Sequence, residues 1–165
     1  MRVLGIDPGS RKIGIGVIDY ASVQKIRAVT WKQISLRGSE LVERLLSLQD
    51  ELDAVIETWK PEIVAIEDIF VRRNVRSALL LGHARGVALA TVGRRQLEAR
   101  SYAPARIKQT VAGHGRAGKD EVRSMVRMQL DLPEQPPEDA ADALAVAMTH
   151  ALIGAVLDRA GGWSR

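Results

Sequence analysis

Four carboxylates stand in apolar surroundings. Asp7 closes the run Val3-Leu4-Gly5-Ile6 and is followed at once by Pro8-Gly9; Glu67 closes a second run, Ile63-Val64-Ala65-Ile66. Asp139 and Asp142 lie three residues apart in Glu138-Asp139-Ala140-Ala141-Asp142-Ala143-Leu144, a segment whose other members are mostly alanine and leucine. Each has an ordinary explanation alone. Asp7 can bond its own turn backbone, and the first turn of a helix favours acidic residues through the helix dipole. Together they have a chemistry. Four anions at one place repel, and divalent cations resolve that repulsion. Oxygen-only ligands suit Mg²⁺, with Mn²⁺ as a substitute, rather than zinc. Two such ions roughly 3.5–4 Å apart can activate a water and stabilise the leaving oxygen in phosphodiester cleavage. His83, His114 and His150 are too dispersed to suggest a zinc centre, and the absence of cysteine excludes disulfides and thiolate metal sites.

The acids can meet only if the fold brings them to one rim. Val3 to Ile6 reads as a short buried strand ended by the Pro-Gly turn. Ile13, Ile15 and Val17 alternate in a second strand, and the five-residue turn between the two makes them antiparallel. Ile26 to Ile34 continues the meander as a third. Ser39 is the expected N-cap of a helix in which Leu41, Leu45, Leu48, Leu52, Val55 and Trp59 form one apolar stripe, and Pro61 ends it. Ile63 to Ile66 is continuously apolar, as in a strand covered on both faces. A strand reached through a helix pairs parallel with the first. Asp7 and Glu67 then lie at the same end of neighbouring strands, in the crevice where open α/β sheets place their sites. Alternation turns Asp68 to the other face.

Asn74 is the expected cap of a second helix running to about Leu97. Its Ala78, Gly82, Gly86 and Ala90 form a ridge of small residues, suited either to another helix or to the chain's own sheet. A short strand from Ala99 to Ala103 follows, then a helix opened by Pro104. The loop Gly113 to Lys119 leads into a helix from Asp120 to about Leu130, and a last helix runs from Glu138 to about Ala160. The expected architecture is α/β: a five-stranded mixed sheet flanked by helices, in a single domain over 1–165. At 165 residues, 46% apolar and 27% charged, the composition is that of one globular domain. The lack of cysteine, of a leader and of a long apolar run makes the cytoplasm the expected compartment and excludes a membrane span.

Charge is unevenly spread. Arg72 to Arg127 holds 13 Lys and Arg against 3 Asp and Glu, and the remainder 11 against 17. A basic half beside an acidic metal pocket is the layout of a nuclease. Phe70, next to Arg72 and Arg73, suits base stacking with phosphate clamping, or is the last core residue of its strand. One rival is local. Gly113 to Asp120 nearly spells a phosphate-binding loop, but Asp120 stands where the Mg²⁺-binding hydroxyl belongs and the preceding segment reads as helix.

These stretches resemble the RuvC family, the bacterial Holliday-junction resolvases or crossover junction endodeoxyribonucleases. The matching segments are Gly5-Ile6-Asp7-Pro8-Gly9-Ser10-Arg11, Ala65-Ile66-Glu67-Asp68-Ile69-Phe70, Asn74 to Val87, Ile107-Lys108-Gln109-Thr110-Val111 and Asp139-Ala140-Ala141-Asp142-Ala143-Leu144. The resemblance implies a ribonuclease-H-like fold, a homodimer, and Mg²⁺-dependent paired cuts in two opposed strands of a four-way DNA junction. It also implies a junction-migration helicase partner of the RuvA and RuvB type. By motif, Asp7, Glu67, Asp139 and Asp142 fall on the catalytic acids and metal ligands, and some relatives carry His where Asp139 stands, which leaves ligand and base both open for it. Lys108 and Lys119 fall on the basic residues near the scissile phosphate, with Lys119 among the catalytic set, and Phe70 on an aromatic of the DNA-facing loop. Arg72, Arg73, Arg76 and Arg116 complete the DNA-contact candidates. The alternative activity within the fold is a monomeric nuclease acting on RNA–DNA hybrids.

Overall fold

A computed structural model describes residues 1–69 and 75–154. Phe70, Arg72, Arg73 and the expected cap Asn74 lie outside the described residues. The strands β1 (Arg2–Pro8), β2 (Lys12–Ser22) and β3 (Lys25–Ser35) form the expected meander. Helix α1 (Leu41–Trp59) leads to β4 (Ile63–Glu67), and α2 (Val75–Arg94) leads to β5 (Glu98–Tyr102). Among the described residues three helices follow, α3 (Pro104–Ala112), α4 (Lys119–Gln129) and α5 (Glu138–Thr149), the last running into a π-helical turn at His150–Gly154. The sheet order is β3-β2-β1-β4-β5. β1 is antiparallel to β2 and parallel to β4, with Ile6 opposite Ile66, so Asp7 and Glu67 end adjacent strands at the same edge.

Period-two alternation in β1 and β2 divides the core in two. Leu4, Ile6, Ile13, Ile15, Val17, Val64 and Ile66 face α1 and α2. Val3, Ile18 and Ala65 face the layer made by α3, α4 and α5. Because β4 is covered on both sides, Ile63 to Ile66 are all buried, as a continuous apolar run requires. Asp7 and Glu67, in step with Gly5 and Ala65, project toward the α5 side.

Several boundaries differ from the expected ones. Helix α1 is capped at Glu40 rather than Ser39: Glu43 turns back and accepts the backbone N–H of Ser39 (2.8 Å) and of Glu40 (3.2 Å). A carboxylate three residues into the helix thus does the capping, leaving Ser39 outside it. Helix α2 stops at Arg94, where Gln96 takes a positive φ of 57° and turns the chain into β5 one residue earlier than expected. In the last helix regular α geometry gives way at His150 to a π-helical turn, and the end expected near Ala160 lies outside the described residues. Among the described residues no helix is long and apolar enough to cross a membrane.

Candidate active site

Glycines set the position of α5. Asp7 lies opposite Gly14 in the β1–β2 register, and Gly5 opposite Gly16. A Cβ on Gly14 would stand 1.8 Å from the carbonyl oxygen of Asp139; one on Gly5 would stand 1.9 Å from that of Ala143. Any larger residue at either place would push the helix off the sheet. The missing side chains form a floor on which α5 rests by its backbone, and the floor ends at the rim that holds Asp7. The start of α5, with Asp139 in its first turn and Asp142 in the next, is therefore set down beside Asp7 and Glu67.

The four acids share one electrostatic neighbourhood. Burial, reinforced by the charges of Glu67, Asp142 and Asp139, pushes Asp7 up to about 8. Burial and the charge of Asp142 push Glu67 up to about 7. Asp142 is raised as well, first by burial and then by Glu138 and Asp139. Lys119 opposes the shift in all three, and Lys108 opposes it at Glu67 and Asp142. A cleft of about 230 Å³ runs between α3, α4 and α5, lined by Glu67, Asp142, Lys108 and Lys119 over Pro104, Ile107 and Val122. A second of about 230 Å³ continues past Asp7, Glu67, Asp68 and Leu81. A larger hollow of about 660 Å³ lies at the other end of β1, around Arg2 and Asp19. There the Arg2 guanidinium already binds the Asp19 carboxylate (2.8 and 2.9 Å), and no carboxylates converge unpaired.

Among the described residues no three acidic or histidine side chains stand close enough to cage an ion as they are. The chemistry of the donor set still fits hard divalent cations. It is all oxygen, partly buried, and held in unfavourable mutual repulsion that a cation would relieve.

The basic candidates divide. Lys108 and Lys119 reach the carboxylate cleft. Arg76 is exposed in the first turn of α2, and Arg116 is exposed in the loop before α4. Lys119 is the first residue of α4 itself, not part of the loop, and its ammonium is paired with the Glu138 carboxylate. Residue types alone did not single out Glu138, although its place one before Asp139 was a signal. Asp68 lies just past the end of β4, where it lines the second cleft beside Glu67, and its carboxylate binds Arg85 of α2 at 3.1 Å. Arg85 also donates to the Ser101 hydroxyl at 2.6 Å, tying α2 to the ends of β4 and β5 beside Glu67. The histidines have other surroundings: His150 is buried with its Nδ1 2.7 Å from the Tyr102 hydroxyl, and His114 pairs with Glu121.

A family model described as crossover junction endodeoxyribonuclease RuvC matches residues 3–150. Two curated relatives carry that same name. One, from Thermomicrobium roseum, is 45% identical over 91% of this chain and 92% of its own. The other, from Halorhodospira halophila, is 50% identical over 91% and 89%. Among solved structures, T. thermophilus RuvC in complex with a Holliday junction substrate superposes with a TM-score of 0.88 at 36% identity, covering 98% of this chain and 97% of that one. The yeast mitochondrial Holliday junction resolvase Ydc2 shares the fold at 15% identity and a TM-score of 0.64.

Proposed function

The chain belongs to the RuvC family, and on that footing we propose that it is an endodeoxyribonuclease that resolves four-way DNA junctions by paired cuts in two opposed strands. The observation that carries the reading is the meeting of Asp7, Glu67, Asp139 and Asp142 at one rim, with Lys108 and Lys119 across the cleft. Those four acids would hold two Mg²⁺ ions, or Mn²⁺ in their place, and the bound ions would activate water and stabilise the leaving oxygen. The chain's own part is to orient the phosphate and balance its charge. Lys119 and Lys108 face the phosphate being cut; Arg76, Arg116, Arg72 and Arg73 hold the arms through their phosphates, and Phe70 stacks at the junction centre. A hybrid-cutting ribonuclease is disfavoured by the family match, which is to junction enzymes. The test is a cleavage assay with Mg²⁺ on four-way junction, linear duplex and RNA–DNA hybrid of matched sequence. Only the junction is expected to be cut efficiently; preference for the hybrid would refute the assignment.

Two opposed cuts need two sites related by symmetry, which a two-fold dimer supplies. The proposed interface is the small-residue ridge of α2. Its buried residues Ala84, Ala88 and Val92 face the core, while Gly82 and Gly86 lie on the opposite side and would meet nothing within 4 Å even if given a Cβ. Val75 and Leu79 are exposed near the same face, at 69% and 60%. The alternative, that the ridge packs on the chain's own sheet, is thereby corrected. Gly86→Leu has room within one protomer, so its effect reports on the contact between protomers. It is expected to sediment as a folded monomer that nicks junctions instead of resolving them. An unchanged dimer would place the interface elsewhere. A helicase complex of the RuvA and RuvB type remains the proposed partner, on family grounds.

A further inference from the structure

We propose that Glu138 is a positioning residue for Lys119, holding the ammonium at the mouth of the carboxylate cleft. The proposal rests on the reading of Lys119 as the cation that faces the scissile phosphate. Lys119 and Glu138 each open a helix, α4 and α5, and the two helix starts meet so that Nζ donates to Oε1. The two ends differ in what they favour. A helix N-terminus attracts an anion and repels a cation. Glu138 is therefore well placed at the start of α5, whereas Lys119 sits at the disfavoured end of α4. Its side chain is 70% exposed and has four rotatable bonds.

Left to itself, such an ammonium has two resting places. One is open solvent. The other is the cleft, where Asp142 and Asp7 attract it and where it would compete with metal for the carboxylates. Glu138 provides a third position between these. Its base is firm: the next residue, Asp139, has its carbonyl against Gly14. The segment leading to it is clamped to α4 by Arg123, whose Nε donates to the Pro136 carbonyl at 2.6 Å. Arg123 also acts on Glu138 by charge, but the direct partner of the carboxylate is Lys119. A short, rigidly mounted carboxylate thus fixes the height of a long, flexible cation above the acids.

The test is a double-mutant cycle read by single-turnover junction cleavage at saturating Mg²⁺, with junction affinity measured in parallel in Ca²⁺. Glu138→Gln is expected to cleave more slowly than wild type, by up to about 10²-fold, the scale of a group displaced by about 1 Å, with affinity unchanged. Glu138→Asp, which keeps the charge on a shorter stem, should recover part of the loss. In a Lys119→Ala background, Glu138→Gln should cost nothing further, since the group it positions is gone. Full-speed or faster cleavage by Glu138→Gln beside slow cleavage by Lys119→Ala overturns the proposal alone. An equal loss from Glu138→Gln in both backgrounds overturns it too, because Glu138 would then act without Lys119. Full-speed cleavage by Lys119→Ala itself overturns the reading of Lys119 and the proposal with it.

Discussion

Asp7→Asn and Glu67→Gln are each expected to abolish junction cleavage while leaving junction binding intact. The amides keep the shape of the side chain and remove the anion, so they probe charge alone. Both acids sit on the floor of the cleft at strand ends, where they are partly buried and surrounded by other carboxylates. On the proposed reading, affinity for the junction would come instead from phosphate contacts made by the basic half, through release of counterions. If the four acids hold divalent cations as proposed, losing one carboxylate would remove charge that holds them, and with it their activation of water. Gel-shift titration in Ca²⁺ and cleavage in Mg²⁺ separate the two properties. Wild-type cutting rates in either variant would refute the metal-site assignment.

The same substitutions carry a second signature in stability. Asp7 titrates near 8 and Glu67 near 7 in the fold, far above an unfolded carboxylate. Between about pH 4 and those values the folded state binds more protons than the unfolded one. Linkage then makes stability fall as pH rises across that window, and the loss is complete above the folded pKa. Without metal, the wild-type melting temperature should decline from pH 5 to pH 8. Asp7→Asn has no proton to lose there, so its curve should be flatter and should lie above wild type at pH 8. A variant that cannot cut yet melts later is the expected mark of an acid retained for function.

Much of the architecture was legible because it rests on short-range pattern. Alternation in Ile13 to Val17, the stripe from Leu41 to Trp59 and the continuous run Ile63 to Ile66 fix element type, and the parallel pairing of β1 with β4 follows from the intervening helix. That was enough to place Asp7 beside Glu67. Reading why Asp139 and Asp142 join them needed a long-range fact. Gly5, Gly14 and Gly16 look like ordinary strand glycines in sequence, and only the docked helix reveals that each lies under the backbone of α5. Capping slipped by one residue at α1 because Ser39 and Glu40 compete for the same role, and Glu43 decides between them by bonding both amides. Lys119 was recognised by motif, but the residue bound to it was not, since Glu138 lies 19 positions away and pairs across two helix starts.

Lys119→Ala is expected to slow cleavage by about 10²–10³-fold, a loss of roughly 2.7–4 kcal/mol of transition-state stabilisation, with little change in junction affinity. As phosphorus becomes pentacovalent, negative charge builds on its oxygens, and an ammonium fixed at the lip of a partly water-excluded cleft lowers that barrier. The structure supplies the placement. Lys119 lines the cleft together with Glu67, Asp142 and Lys108, and it acts by charge on Asp7, Glu67 and Asp142 alike. On the proposed reading, ground-state affinity would be spread over many basic side chains, so one lysine would contribute only a small share of it. The rival assigns Lys119 to a nucleotide-binding loop, and its requirements are not met. The segment before Gly113 is helix α3, not the strand from which such a loop springs, and Asp120 carries no hydroxyl for a nucleotide's Mg²⁺. Single-turnover cleavage at saturating Mg²⁺, beside ATP and GTP binding by calorimetry, discriminates among the readings. Slow cutting with near-normal junction binding and no nucleotide binding is the expected result. Unchanged cutting would make Lys119 a surface lysine, and nucleotide binding by the wild type that is lost in Lys119→Ala would restore the phosphate-loop reading.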